Sequence, residues 1–161
     1  MPGGQFTNLK EQARSLGITT DKWGMVANKY AEVNQLFGDI VKVTPSSKIV
    51  GDMALYMIAN DLSKEDVLDP KKEISFPASV IEFFKGEIGI PQGGFPKELQ
   101  KKVLGDTKPL TKRPGEVLES VDLDKEAKNL EDEIGMKINQ THLASYLMLS
   151  LIHISEPTRR I

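Results

Sequence analysis

Apolar residues recur at three- and four-residue intervals along most of this 161-residue chain, and no other feature constrains its fold as strongly. This spacing places apolar side chains along one face of an α-helix. The clearest series begins at Trp23, continues through Tyr30 to Phe37 and stops at Gly38, a residue type that commonly ends helices. Internal repeats are absent from the sequence and strand-like patterns are scarce. The chain is therefore predicted to be mainly α.

Capping residues and prolines in the sequence also predict where several helices begin. Thr20 is predicted to cap the helix that carries Trp23, and Ser63 followed by Asp66 has the spacing of a capping box. Prolines at positions 77 and 96 each precede a further helical segment. The apolar residues of the other predicted helices are Leu9, Ala13 and Leu16; Val50, Met53, Ala54, Met57 and Ile58; Val80, Ile81 and Phe84; Leu99 and Val103; Leu123, Ala127, Leu130 and Ile134; Leu143, Tyr146 and Leu147.

The remaining stretches are predicted to lack helix. Residues 40–43 are β-branched and fit either a short strand or an extended linker, and "GEIGIPQGGFP" is a loop. Residues 105–121 show no periodicity and are predicted to form an extended connector. The opening "MPGG" consists of turn residues with no element before them, as if the segment began within a domain.

Composition excludes several function classes. The net charge of -2 gives no indication of nucleic-acid binding, and the absence of cysteine excludes disulfides and thiolate metal sites. The chain has two histidines without partners at ligand spacing, so it is not expected to form a metal site of its own. No membrane-length apolar run or signal peptide is visible, which favours a cytosolic or organelle-matrix setting.

The segment "KVTPSSKIVGDMA" at residues 42–54 allows two interpretations. In the first interpretation these residues do no more than begin a helix, because Thr44, Pro45 and Ser47 are residue types preferred at helix starts. The same residues would also suit a helix start that faces a ligand. Lys48 alone would be interpreted as a solvated lysine, but a positive charge in a first helical turn opposes the helix dipole and therefore needs another reason.

Several longer segments of the sequence resemble those of a known family. "MPGGQFTNL", "NQLFGDIVKVTPSSKIVGDMA" and "ISFPASVIEFFKGEIGIPQGGFPKELQKKVLGDTKPLTKRPGE" are similar, in order, to the carboxyltransferase domain of pyruvate carboxylases. The likeness extends over residues 1–148. The oxaloacetate decarboxylase α subunit and transcarboxylase share "MPGG" and "VTP", but the Ser-Ser-Lys and Gly-Asp-Met-Ala that follow here favour pyruvate carboxylase.

The resemblance implies an architecture and an activity. In this family a (β/α)₈ TIM barrel holds pyruvate and a divalent metal of the zinc or manganese type, and a helical funnel after the barrel leads carboxybiotin to them. This chain resembles the funnel without the barrel, so no metal ligand is assigned and the segment alone is expected to be inactive. The implied whole enzyme is a homotetramer that uses ATP with magnesium and a biotin carrier domain to form oxaloacetate, in bacterial cytoplasm or the mitochondrial matrix.

Four residues can be matched to family motifs. Thr44 resembles the threonine that moves a proton between the enol of pyruvate and the biotin ring nitrogen, a role that suits a hydroxyl because it both donates and accepts. Ser47, Lys48 and Gln5 resemble residues that line the biotin pocket. A helix start with free N–H groups, a hydroxyl and an ammonium would suit the ureido carbonyl of biotin.

Two further expectations concern the limits of the resemblance. Residues 149–161, "LSLIHISEPTRRI", depart from the family and are predicted to be a non-native tail. A different functional class also stays open, in which the chain is a non-catalytic binding or assembly module that keeps the helical scaffold without a barrel.

Overall fold

Nine α-helices, joined by loops, make up the part of the chain that the computed structural model describes, residues 3–155 without the side chains of 20 and 150–155. No strand occurs in this part, so the mainly α prediction is confirmed and residues 40–43 form an extended linker. The helices are α1 (Gly3–Ser15), α2 (Trp23–Leu36), α3 (Ser46–Ala59), α4 (Lys64–Leu68), α5 (Ala78–Lys85), α6 (Lys97–Leu104), α7 (Pro114–Val117), α8 (Leu123–Ile134) and α9 (Gln140–Ser155).

Several predicted boundaries are wrong. The "MPGG" turn is not a turn where it is described, because α1 already begins at Gly3, and this helix ends before Leu16, which is exposed. Thr20 lies in a 3₁₀ turn and α2 begins only after Lys22, without a side-chain cap. The predicted extended connector contains the one-turn helix α7. Turn residues are compatible with helix starts, so local sequence alone cannot place these ends.

The chain divides into two units, and residues 1–117 form the first. Its core lies around α3, which packs against α1, α2 and α5 and is buried over most of its surface, as its apolar composition predicts. An aromatic cluster extends this core toward α6: Phe37 and Phe84 are almost fully buried and meet edge to face, with ring centroids 5.1 Å apart. Phe83 and Phe95 complete the cluster. Burial of each such ring stabilises the fold by about 1.5–3 kcal/mol.

The predicted capping box at α4 is confirmed. The Ser63 hydroxyl accepts a hydrogen bond from the Asp66 amide, and the Asp66 carboxylate accepts one from the Ser63 amide. Hydrogen bonds from Lys72 and from Ser63 lower the pKa of Asp66 to about 2, so its carboxylate is ionised at neutral pH. Lys102 of α6 donates to the carbonyl oxygens of Asp66 and Asp69 at the end of α4. These bonds fix the short helix against α6.

The second unit, residues 118–161, contains α8 and α9. Asp122 caps α8, which ends at Gly135 in the left-handed conformation with a φ of 69°. Only Leu130 of α8 is buried, in agreement with a solvent-facing helix. The backbone of α9 is non-helical at Leu149, where the predicted tail begins; residues 156–161 of that tail lie outside the described residues. None of the described helices is long and apolar enough to cross a membrane.

Candidate functional site

All four residues singled out from the sequence line one open groove of about 740 Å³, here named the α1–α3 groove. Gln5 belongs to α1, Thr44 to the linker before α3, and Ser47 and Lys48 to the first turn of α3. The other lining residues are Gly4, Asn8, Glu11, Gln12 and Val43. Two segments some forty residues apart in sequence therefore meet at one surface site.

The linker before α3 is held by the Ser46 side chain. Its hydroxyl oxygen accepts a hydrogen bond from the Val43 amide at 3.1 Å and lies 2.7 Å from the Val41 carbonyl oxygen. Thr44 is exposed beside it, before a cis peptide bond to Pro45, and its hydroxyl has no partner in the described part of the chain. Thr44 also lines a second groove of about 430 Å³, formed with residues 83 and 88–92. Its side chain is therefore accessible from two sides.

Ser47 is buried at the start of α3, and the interpretation of Ser47 as a helix cap is wrong. The N-terminal cap position is Pro45, with no side-chain capping bond. The Tyr30 hydroxyl donates to the Ser47 carbonyl oxygen at 3.2 Å, and burial raises the pKa of Tyr30, which favours the protonated donor. No hydrogen bond of the Ser47 hydroxyl is found in the part of the chain that the structure describes.

The expectation of free amides at this helix start is wrong for Ser47 and Lys48. The Ser47 amide donates to the Val43 carbonyl oxygen at 2.9 Å. The amides of Lys48 and Ile49 both donate to the Pro45 carbonyl oxygen, at 3.0 and 3.3 Å. The bonds from Ser47 and Lys48 occupy donors that a simple helix start would leave open, whereas the bond from Ile49 is the ordinary first bond of an α-helix. Besides side-chain groups, the Ser46 amide is left without a partner in the described part of the chain.

An ion pair with Asp52 explains why a lysine is tolerated at position 48, in the first turn of α3. The Lys48 ammonium lies 2.6 Å from the Asp52 carboxylate, one helical turn later, and the Ser79 hydroxyl donates to the same Asp52 oxygen at 2.7 Å. The Lys48 side chain is 57% exposed, whereas that of Asp52 is only 16% exposed. The ion pair offsets the unfavourable position of a cation in the first turn.

Gln5 is 8% exposed, and its amide nitrogen is buried without a hydrogen-bond partner in the described residues. Gly51 makes this position possible. A Cβ atom added at Gly51 would lie 2.5 Å from the Gln5 amide nitrogen and 2.9 Å from a Leu9 methyl carbon, so both side chains would have to shift to admit a larger residue. Gly51 thus lets α1 approach α3 closely enough to place Gln5 beside the groove.

Sequence reasoning missed several residues of this site. Asn8 and Gln12 follow Gln5 by three and seven positions, a helical spacing that would have placed them on the same face. Gly51 lies four residues after Ser47, and Asp52 lies four residues after Lys48. This helical spacing would have placed each pair on one face of α3. Ser79 is 27 residues from Asp52, and no local pattern connects them. Among the side chains that the structure describes, no group of three or more His, Asp or Glu is arranged to hold a metal ion.

Comparisons with known proteins identify the family of this chain. Residues 1–152 match the family described as the conserved carboxylase domain. The pyruvate carboxylase of Bacillus subtilis is 47% identical over 148 residues, which cover 92% of this chain and 13% of that protein. That of Staphylococcus aureus is 49% identical over 153 residues, covering 95% of the chain and 13% of the protein. The chain therefore spans only a small part of the curated relatives that it matches.

Solved structures give the same result. The carboxyl transferase domain of Rhizobium etli pyruvate carboxylase is 54% identical with a TM-score of 0.88, over 96% of this chain and 26% of that one. The same domain with pyruvate and biocytin is 56% identical with a TM-score of 0.86, over 93% of this chain and 25% of that one. The matched region is the helical segment of the carboxyltransferase domain. The chain thus belongs to the conserved carboxylase domain family, of the type found in pyruvate carboxylases.

Proposed function

We propose that this chain is the part of a biotin-dependent pyruvate carboxylase that receives carboxybiotin, and that the α1–α3 groove binds its ureido ring. The reaction is the transfer of a carboxyl group to pyruvate, which gives oxaloacetate. One observation supports the proposal above others: Gln5 from one family motif lines a single groove with Thr44, Ser47 and Lys48 from another. A relative that is 56% identical was solved with pyruvate and biocytin, a biotin derivative.

The groove suits a ureido group. Its volume of about 740 Å³ lies within the range of small-molecule sites. The Ser47 hydroxyl has no partner among residues 3–155, and the buried Gln5 nitrogen lacks an acceptor, an arrangement that costs about 1–3 kcal/mol. A ureido carbonyl is an acceptor, so rotation of the Gln5 amide toward the groove would relieve that cost when biotin binds.

Thr44 and Lys48 would perform different tasks. Carboxybiotin supplies the carboxyl group when bound. The Thr44 hydroxyl oxygen, accessible from two grooves, can accept one proton while it donates another and so transfer a proton between pyruvate and the biotin ring nitrogen without holding a charge. The Lys48 ammonium attracts the anionic carboxylated form of the ring.

The other parts of the proposed enzyme lie outside this segment. We propose that a TIM barrel holds pyruvate and the divalent metal, that ATP with magnesium is used by a separate domain, and that a carrier domain brings biotin to the groove. The whole enzyme would be a homotetramer in bacterial cytoplasm or the mitochondrial matrix. Residues 1–148 are the functional segment, and residues 149–161 are a non-native tail.

A segment exchange tests this function. Residues 1–148 replace the matching segment of the S. aureus pyruvate carboxylase, which gives the exchange enzyme. We expect it to form oxaloacetate from pyruvate, bicarbonate and ATP at a rate comparable to that of the parent, because the groove residues are all supplied by the exchanged segment. The measurement is the rate of oxaloacetate formation, with ATP-dependent biotin carboxylation followed separately.

The same exchange with the B. subtilis segment, which resembles this chain to a similar degree, shows whether the boundaries are tolerated. If that control is active while the exchange enzyme carboxylates biotin but forms no oxaloacetate, the chain does not support carboxyl transfer. The non-catalytic module would then be the better interpretation.

A further inference from the structure

We propose that Asp52 and Ser79 are positioning residues that hold the Lys48 ammonium at the α1–α3 groove. Neither of them lines the groove, so neither is expected to touch the ligand. The inference rests on the proposed function, in which Lys48 faces carboxybiotin. It assigns a task to two side chains that the resemblance left without one.

The contacts form a short chain from α5 to the groove. The Ser79 hydroxyl donates to Asp52 Oδ2 at 2.7 Å, and the same oxygen lies 2.6 Å from Lys48 Nζ. Asp52 is largely shielded, with 16% of its side chain exposed, and Ser79 is the second residue of α5. Because α5 packs on α3, the carboxylate orientation is set by tertiary structure and not by α3 alone.

Without this anchor, Lys48 would have little reason to lie against the protein. A cation in the first turn is repelled by the positive end of the helix dipole. A lysine followed by an acid four residues later is also the weaker order for a helical ion pair. Ordering a lysine side chain also costs rotamer entropy. The ion pair with Asp52 orders the Lys48 side chain before the ligand arrives. The ligand then does not bear this entropic cost, so preorganisation strengthens its binding.

This role predicts an effect on binding more than on the chemical step. Carboxyl transfer can be run in reverse, from oxaloacetate to added free biotin, with pyruvate as the product measured. In the exchange enzyme, Asp52→Asn is expected to raise the KM for free biotin about five- to tenfold while kcat changes less than about twofold, since it loosens a binding group only. Ser79→Ala is expected to act in the same direction and more weakly.

A double-mutant cycle connects the effect to Lys48. Lys48→Gln alone is expected to raise the KM for biotin, and adding Asp52→Asn to it should then change nothing further, because the group to be positioned is gone. Asp52→Glu should restore part of the affinity. Glu32→Gln is the matched control: it breaks the comparable pair with Lys29 on α2, whose ammonium lies 3.0 Å from Glu32, and neither residue lines the groove. It should leave the KM unchanged.

The outcomes separate the two proposals. If Lys48→Gln raises the KM but Asp52→Asn leaves it unchanged or lowers it, positioning is wrong; a lower KM would mean that Asp52 competes with the ligand for the ammonium. Additive effects in the cycle would likewise overturn it. If Lys48→Gln has no effect, or if the exchange enzyme carboxylates biotin but forms no oxaloacetate while the B. subtilis control does, the proposed function itself fails and the positioning role fails with it.

Discussion

Replacing Thr44 with alanine in the exchange enzyme is expected to lower the rate of oxaloacetate formation by about 10²–10⁴-fold, the usual contribution of a positioned proton-transfer group. The side chain is exposed and its hydroxyl has no partner in the described chain, so its loss should leave the fold intact. Thr44→Ser keeps the hydroxyl and should retain much of the activity.

The measurement compares two partial reactions. ATP-dependent carboxylation of biotin does not involve Thr44 in the proposed mechanism and should be unchanged, whereas carboxyl transfer to pyruvate should be lost. Thr107→Ala, at an exposed threonine that does not line the groove, serves as the control. Oxaloacetate formation at the wild-type rate in Thr44→Ala would remove Thr44 from the mechanism.

Gly51→Ala is the second substitution from which we expect a large effect. Alanine gains about 1 kcal/mol of helix propensity over glycine, but overpacking costs about 1–3 kcal/mol. The added carbon would lie 2.5 Å from the Gln5 amide and 2.9 Å from Leu9, so the steric cost should prevail and the Gln5 amide must leave its position. We expect the KM for free biotin to rise about tenfold, with a loss of up to about 2 kcal/mol in unfolding free energy.

Two variants make the Gly51 result specific. Gly24→Ala is the matched control, because this helical glycine has no atom within 4 Å of an added Cβ. It should leave the KM unchanged. In a Gln5→Ala background the closest clash disappears, and Gly51→Ala should then have a much smaller effect on the KM. An equal rise in both backgrounds would show that Gly51 does not act through Gln5.

Periodicity predicted the helices well, because burial on one face is the main determinant of where a helix forms. The α2 series from Trp23 and the α3 series from Val50 are both found as predicted. Helix ends were predicted less well. Thr20 is a good capping residue, yet a 3₁₀ turn intervenes before α2. Such competition between local turns is decided by packing, which sequence spacing does not contain.

At the site, too, some features could be predicted from the sequence and others depend on packing. Sequence motifs of the family identified the four groove residues, but they did not show which hydrogen-bond donors at the site are already paired within the protein. The amides of Ser47 and Lys48 are occupied by carbonyl oxygens of Val43 and Pro45, and the Ser47 carbonyl is bound by Tyr30 of another helix. The contact between Asp52 and Ser79 likewise depends on the packing of α5 on α3. Tertiary contacts of this kind leave no signal in a single sequence.

The most direct test of the biotin assignment is a crystal structure of the exchange enzyme with pyruvate and biocytin. The proposal predicts the ureido ring in the α1–α3 groove, within hydrogen-bond distance of the Ser47 hydroxyl and the Gln5 amide, with the Thr44 hydroxyl beside the ring nitrogen. Biocytin bound elsewhere in the domain, with this groove empty under the same conditions, would contradict it.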